Sequence, residues 1–524
     1  RARRRTRRMK DRGGTRRLSR TGAVAAAAAL SACAVGPDYH RPLAPVSAQY
    51  KEVRPQPGWK FGQPSDNFNR GVWWAIYHDP VLDGLERRID ISNQNLKAAA
   101  AALRQSEQIV AEARAGFFPT GTANFQAQRS LSGGSASSGT GSSTFVGTSH
   151  GRIGSFFSDQ VAASWTPDFW GQVRRQVEAN VATAQASAAD LANARLSAQG
   201  TLAGDYLQLR IADELKRLLD ASATAYAESL RITQNQYRSG TADQSAVSQA
   251  AAQLQSTQAQ AIATGVTRAQ FEHAIAVLIG VPPADLTIAP VEALIQIPDV
   301  PPGLPSALLE RRPDIAAAER TMVSANAEIG VQVAAFYPTI TLSADAGTAA
   351  ANFLKLASKT GEFWSFGGTL VETVFDAGLR RAEVQAAVAV FNEDLADYRQ
   401  TVLTAFQQVE DQLAALRILA QEATVQDAAV ASAREAVRVL NNQYLAGTVA
   451  YTNVIVAEQT ALGDAETALT IREDRLVASA SLIQALGGGW NAAQLPSRGR
   501  IEEAAPLNFN PLPPIVPVQG QGPP

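Results

Sequence analysis

The sequence predicts a mainly α-helical chain with membrane β-strands, built by internal duplication. Gly240-Thr241 and Gly447-Thr448 stand in two similar turns that are 207 residues apart (447 − 240 = 207). A fixed period of this kind indicates a duplicated supersecondary unit. Each copy is predicted to hold a short helix, two alternating strands and two very long helices that meet at a glycine tip.

The strand entries repeat at a different spacing. Phe117-Phe-Pro-Thr120 is answered by Phe336-Tyr-Pro-Thr339, which gives 336 − 117 = 219. The 12-residue difference (219 − 207 = 12) falls in the Ser/Gly-rich tract from Ser130 to Gly154. The two copies therefore differ mainly in the loop that joins the strands of the first copy.

Strict alternation predicts the strands. In Thr339–Ala346, Thr, Ser and Asp occupy one face, and Ile, Leu and Ala occupy the other. Thr122–Gln128 alternates too, and 160–166 and 364–375 are the predicted return strands. About ten alternating residues suit a tilted membrane strand. Soluble hairpins with one solvated face are the alternative.

Aromatic residues cluster near the predicted strand ends, as in the interfacial girdles of membrane barrels. They are Phe117, Phe118, Trp165, Phe169, Trp170, Phe336, Tyr337 and Trp364. Four strands cannot close a barrel, and open sheet edges cannot face lipid. Closure therefore requires several chains, and three chains would give twelve strands.

The helices are predicted from two long stretches without proline, from Gln172 to about Tyr237 and from Leu379 to about Tyr444. At 1.5 Å per residue each would reach roughly 100 Å. Return helices are expected to end near Gly280 and Gly487. Helices of this length favour coiled-coil packing over a globular body.

Charge argues against nucleic-acid binding. Residues 1–32 carry eleven Lys/Arg and one Asp, so the rest has 47 − 11 = 36 basic and 48 − 1 = 47 acidic residues, a net charge of −11. An acidic chain is a poor partner for nucleic acid.

Residues 1–32 resemble a signal peptide, with Met9 as the natural start and residues 1–8 upstream of it. The apolar run 23–30 is too short to span a bilayer. Cys33, the single cysteine, follows this run directly in a pattern that resembles the bacterial lipobox, so we expect it to be acylated. The next residue is Ala34. An Asp at this position would resemble the signal for retention in the inner membrane, so its absence favours location in the outer membrane.

The predicted organisation divides the chain into six parts. They are a signal peptide (1–32), a lipid anchor and extended arm (33–80), a first repeat (81–280), a Pro-rich linker (281–305), a second repeat (306–487) and a Pro/Gly-rich tail (488–524). Strands are expected near 117–130, 155–170, 336–347 and 363–377, and long helices over 172–280 and 379–487.

The sequence indicates no enzyme, metal site or cofactor. Gly147-Thr-Ser149-His-Gly151 matches a nucleophile pattern, but it lies in a Ser/Gly-rich loop rather than between a strand and a helix. The four histidines share no metal-ligand spacing, and no phosphate-binding glycine pattern is present. Arg311, Arg312 and Asp314 are expected to pair or to cap a helix start.

Several motifs together carry a family resemblance. Gly36-Pro-Asp-Tyr-His-Arg-Pro42 follows the lipobox, Trp73-Trp74 and Asp79-Pro-Val-Leu82 come next, and Leu309-Glu-Arg-Arg-Pro-Asp-Ile315 lies at mid-chain. With the strand entries and the two Gly-Thr tips, the chain from about Cys33 to Leu495 resembles the TolC-like outer-membrane factors. It is most similar to their lipoprotein branch, the NodT-type efflux channels that serve resistance-nodulation-division pumps.

The resemblance implies a homotrimer in which a twelve-strand transmembrane β-barrel stands on a long periplasmic α-helical barrel. It also implies outer-membrane lipid, an inner-membrane resistance-nodulation-division transporter and a periplasmic adaptor as partners. The adaptor would dock on Gly240, Thr241, Gly447 and Thr448. The implied function is a passive exit duct for small molecules, and the alternative is a lipid-tethered periplasmic coiled-coil scaffold without a channel.

The resemblance also points to a periplasmic aperture, at which this chain departs from the family. Relatives commonly carry Asp six residues beyond the second tip glycine, where this chain has Asn453, and some carry a second Asp where it has Val456. Tyr444 resembles a tyrosine that latches neighbouring helices, but Ala246 replaces its expected carboxylate partner. We therefore expect an uncharged or apolar constriction; plain helix packing is the alternative role for these four residues.

Acylation of Cys33 can be tested by replacing the sulfur nucleophile. Cys33→Ala should leave an unprocessed or mislocalised precursor, measured by intact mass and membrane fractionation. A variant that keeps the mature mass and the outer-membrane location of the parent protein would contradict the assignment.

Overall fold

The computed structural model describes residues 34–47, 49–52, 72–132, 152–291, 295–300, 307–356 and 358–510. The signal peptide and the acylation of Cys33 lie outside these ranges and remain predictions. The segment around Ser149, which is not expected to be a nucleophile, lies outside them as well.

Nine α-helices are present in the described part of the chain. They are α1 (Pro80–Ser92), α2 (Gln94–Ala115), α3 (Gln172–Arg238), α4 (Gln244–Leu278), α5 (Leu308–Arg311), α6 (Pro313–Ala334), α7 (Leu379–Leu445), α8 (Tyr451–Ala485) and α9 (Arg498–Ala504). None of the described helices combines the length and the hydropathy that a membrane-spanning helix needs.

The two longest helices, α3 and α7, have 67 residues each, which corresponds to roughly 100 Å. Both begin after a glycine in the left-handed region, Gly171 (φ 82°) and Gly378 (φ 91°). These helices confirm the two long helices predicted from the sequence. Each can run unbroken because it contains no proline.

These two helices organise a layer four helices wide. α3 packs against α2 and α6 along one part of its length and against α4 and α8 along another. α7 packs against α6 and α8 in the same way. The layer therefore runs α2–α3–α6–α7 in one half and α4–α3–α8–α7 in the other.

The shorter helices meet end to end between the two halves. Asn93 Nδ2 donates a 2.7 Å hydrogen bond to the carbonyl of Leu278 at the end of α4, while its Oδ1 accepts from Leu96 N at the start of α2. In the second copy, Arg312 Nη1 donates to the carbonyl of Ala485, the last residue of α8, at 3.0 Å. Arg312 also pairs with Asp314 at the start of α6 (2.5 Å), so it is a structural residue.

The strands form one antiparallel sheet in the order β1 (Thr120–Ser132), β2 (Arg152–Trp165), β3 (Thr339–Ala350) and β4 (Glu362–Val371). The Ser/Gly tract contributes to β1 and β2 at both its ends, because backbone pairing continues through Leu131 and Ile153. β4 ends earlier than residue 377, and Asp376 instead accepts a hydrogen bond from Gly378 N ahead of α7.

The alternation of the sequence gives the sheet one apolar face. Ala344 of β3 lies opposite Phe366 of β4 and Ala163 of β2. The next pairs on this face join Ala346 to Trp364, which is 80% exposed, and to Val161. A row of apolar side chains thus crosses the whole sheet on one side, with Thr, Ser, Asn and Gln on the other.

The helix junction can be tested at Gly280. Its φ is +69°, and a Cβ there would lie 2.2 Å from the carbonyl oxygen of Ser92. Gly280→Ala should lower the thermal midpoint of the solubilised protein. Gly204→Ala is the matched control: a Cβ at Gly204, inside α3, meets nothing within 4 Å, so the change should stabilise the helix by up to about 1 kcal/mol. Equal effects of the two changes would contradict a tightly closed junction.

Candidate functional site: the helical tips

Both glycine tips close their helices with the same hydrogen bonds. Gly240 and Gly447 have φ values of 78° and 75°. Thr241 N donates to Gln236 O at 2.9 Å, and Thr448 N donates to Gln443 O at 3.0 Å. The bond from Gly240 N to Tyr237 O completes a Schellman motif, in which a left-handed residue ends a helix. Turn geometry therefore accounts for both glycines.

The tip threonines have a structural role as well. The hydroxyls of Thr241 and Thr448 donate to the carbonyls of Gln236 and Gln443, at 3.0 and 2.9 Å. Thr241, Thr448 and the two tip glycines are nevertheless exposed. Each tip is thus a turn closed by hydrogen bonds, with an accessible surface.

Tyr444 joins the ends of the two long helices. Its ring is buried at 8% exposure, 5.1 Å from the ring of Tyr451 at the start of α8. Its hydroxyl donates to Gln236 Oε1 and lies 3.3 Å from Thr233 Oγ1, both on α3. The partner of this tyrosine is thus an amide, and Ala246 only packs at the edge of the same apolar cluster.

Asn453 and Val456 are both exposed, and Val456 has 62% of its side chain accessible. They are three residues apart on α8, so they share one face of the helix. Neither side chain carries charge. The aperture role remains a prediction for all four residues, Asn453, Val456, Tyr444 and Ala246.

Asp243 is an acidic residue close to the first tip. Its Oδ1 accepts 2.9 and 2.6 Å hydrogen bonds from Ala246 N and Ser245 Oγ, which caps the start of α4. The bond from the Ser245 hydroxyl is the main cause that lowers the pKa of Asp243. Its carboxylate is therefore held at the helix end.

Glu458 is an acidic residue further along α8, and it is partly buried between α8 and α3. The Tyr226 hydroxyl of α3 donates to its backbone carbonyl at 3.2 Å. Its Oε2 is buried and has no hydrogen-bond partner among the described residues. Burial raises the pKa of this carboxyl to about 7.

Sequence reasoning missed the contributions of Gln236, Thr233 and Tyr451. The period offered a partial signal for Gln236, because Gln443 stands 207 residues later (443 − 236 = 207) and both carbonyls serve the tips. In the described ranges, no group of three or more His, Cys, Asp or Glu side chains could hold a metal ion.

The helical layer, the apolar-faced sheet and the paired tips define an efflux channel of the outer membrane. The family model "Outer membrane efflux protein" matches residues 87–281 and 304–488, and the chain belongs to this family. The two matched segments coincide with the two copies of the repeat.

Named relatives and solved structures agree. The chain is 29% identical to the solvent efflux pump outer membrane protein SrpC of Pseudomonas putida, over 89% of this chain and 97% of that one. It is 31% identical to the pyoverdine export outer membrane protein OpmQ of Pseudomonas aeruginosa, over 82% and 89%. The outer-membrane channel OprN superposes with a TM-score of 0.78 at 26% identity, covering 87% of this chain and all of that one. The protein is accordingly a TolC-like outer-membrane channel with a long periplasmic helical part.

The buried Glu458 carboxyl predicts a pH dependence of stability. A folded-state pKa of about 7, raised from 4.5, means that the stabilising effect of the protonated form is complete below pH 4.5 and is lost as pH rises through 7. Glu458→Gln should therefore raise the thermal midpoint at pH 8.5 and change it little at pH 4. Glu435→Gln, at an exposed carboxylate paired with Arg438, is the control. An identical shift at both pH values for Glu458→Gln would argue against a buried neutral carboxyl.

Proposed function

We propose that the protein is the outer-membrane exit duct of a tripartite efflux pump, a homotrimer through which small molecules pass passively. The observation that carries the proposal is the sheet: it is four strands wide, one face is apolar, and β1 and β4 each have an edge that pairs with no other strand of the described residues. Unpaired backbone groups in lipid cost several kcal/mol each. Pairing β4 of one chain with β1 of the next removes every free edge.

The helices support the same arrangement. Among the described helices, the layer of one chain ends at α2 and α4 on one side and at α7 on the other. Three layers joined edge to edge would continue the twelve-strand barrel as a periplasmic helical barrel. A common symmetry axis would then serve both parts.

The proposed partners are an adaptor and an inner-membrane resistance-nodulation-division transporter. Support comes from the relatives SrpC and OpmQ, which are named as outer-membrane proteins of an efflux pump and of an export system. We assign adaptor docking to Gly240, Thr241, Gly447 and Thr448 because these turns are exposed and are closed by the same hydrogen bonds. A photocrosslinker placed at Thr241 or Thr448 that captures no adaptor in intact cells would exclude this site.

The alternative, a lipid-tethered scaffold without a channel, fits the sheet poorly. Trp364 and Phe366 are 80% and 73% exposed on neighbouring positions of its apolar face. A scaffold in water would leave this row of side chains unburied, whereas lipid would cover it. An acylated Cys33 would add an anchor that is weak by itself.

The duct can be tested by mass and by conductance. The detergent-solubilised protein should have the mass of three chains by light scattering and should give stepwise single-channel currents in a planar bilayer. A monodisperse monomer, or a trimer without conductance, would favour the scaffold.

The aperture can be tested at Asn453. Threefold symmetry would repeat Asn453 and Val456 as two stacked uncharged rings. Asn453→Asp would place three carboxylates together, and these should attract a trivalent cation at low salt. Periplasmic hexamminecobalt should block Asn453→Asp channels and leave the parent channels unaffected. Strong block of the parent protein would mean that other residues form the constriction.

A further inference from the structure

A groove among α3, α7 and α8 is lined by more arginines than acidic residues. Its cavity has a volume of about 460 Å³, and Ile297 of the linker lies at its side. The charged lining consists of Arg217, Arg434, Arg472, Arg475, Glu214 and Asp427. The net charge of this lining is therefore 4 − 2 = +2. Like charges in a partly desolvated site repel one another, so the groove favours an added negative charge.

Two of these arginines have unused hydrogen-bond donors. Arg475 Nε is buried and has no acceptor among the described residues. Arg472 Nε is in the same state, although its Nη2 donates to Ile295 O at 2.8 Å. A buried N–H without an acceptor destabilises the structure, and it does so more strongly when the group is charged.

The first copy of the repeat shows which groups accept hydrogen bonds from the equivalent arginine. Arg475 corresponds to Arg268 in the first copy (475 − 268 = 207). Arg268 Nε lies 2.7 Å from Asp213 Oδ1, and its Nη1 lies 2.9 Å from Glu272 Oε2. Two carboxylates therefore compensate the first-copy arginine.

The second copy lacks both carboxylates. The position of Asp213 is taken by Ala420 (213 + 207 = 420), and that of Glu272 by Ser479 (272 + 207 = 479). The Ser479 hydroxyl is engaged with Tyr77 Oη at 2.7 Å. The same arginine on the equivalent helix pair has thus lost its anionic partners while the neighbouring arginines have raised the local positive charge.

We propose that this groove binds an oxyanion ligand, of the carboxylate or the phosphate and sulfate class, which takes the place of the missing side chains. Guanidinium groups bind such anions through paired N–H donors. The ligand can be a free inorganic oxyanion or the carboxylates of an acidic segment of a partner protein. Both sources present the same oxygen acceptors to Arg434, Arg472 and Arg475.

Calorimetric titration of the full detergent-solubilised protein in low-salt buffer tests the groove, with sodium sulfate and a tetraglutamate peptide as probes. Arg434→Gln and Arg475→Gln should each weaken binding at least about tenfold, the equivalent of one charge-assisted hydrogen bond. Arg438→Gln, one turn further along α7 and paired with Glu435, is the matched control and should bind as the parent does. Tighter binding of tetraglutamate would identify an acidic segment as the source, and binding of sulfate alone would identify a free oxyanion. No binding of either probe, or equal binding by all variants, would overturn the proposal.

A second pair of measurements separates a binding role from a structural one. Without ligand, Arg475→Gln should leave the thermal midpoint unchanged or raise it, whereas Arg268→Gln should lower it, because Asp213 and Glu272 each lose one of their partners. Ala420→Asp should restore the first-copy carboxylate and abolish binding while every arginine remains. Arg475→Gln that destabilises as much as Arg268→Gln, or Ala420→Asp that still binds, would overturn the proposal.

Discussion

The helical layer depends on two breaks being closed. α3 and α7 run without interruption, but the helices beside them end halfway, and each end leaves backbone carbonyls and N–H groups without partners. Asn93 and Arg312 each supply a donor to the last turn of one helix and stand at the start of the next. Because these contacts make two short helices act as one long one, the layer can extend from the sheet to the tips with constant width.

Duplication kept the position of this junction and changed its chemistry. The accepting carbonyls, Leu278 and Ala485, differ by 207, whereas the donors, Asn93 and Arg312, differ by 219. In the first copy, the junction thus joins a segment before the Ser/Gly tract to a segment after it. An amide in one copy and a guanidinium in the other meet the same need, since either can donate to a helix-end carbonyl.

The sequence was sufficient for features with local causes. Helix lengths follow from the absence of proline, tips from glycine, and the sheet faces from alternation between residues such as Thr341 and Leu342. It was insufficient for side-chain contacts that depend on which turn of one helix packs against which turn of another. The bond between Tyr444 and Gln236 joins residues 208 apart, and the loss of carboxylates beside Arg475 shows only when α7 and α8 are set against the first copy. Such contacts depend on the register between long helices, which local patterns do not encode.

The two tips, alike in their turns, differ in how readily they melt. Asp243, the N-cap residue of α4, accepts a hydrogen bond from Ala246 N, whereas Ala450, the N-cap residue of α8, provides no side-chain cap. A helix without such a cap loses about 1 kcal/mol at its first turn and frays more often. The second tip is therefore the less stable of the two, and Asn453 lies in the first turn of the helix that follows it. Fraying of the first turn of α8 would therefore displace Asn453 itself.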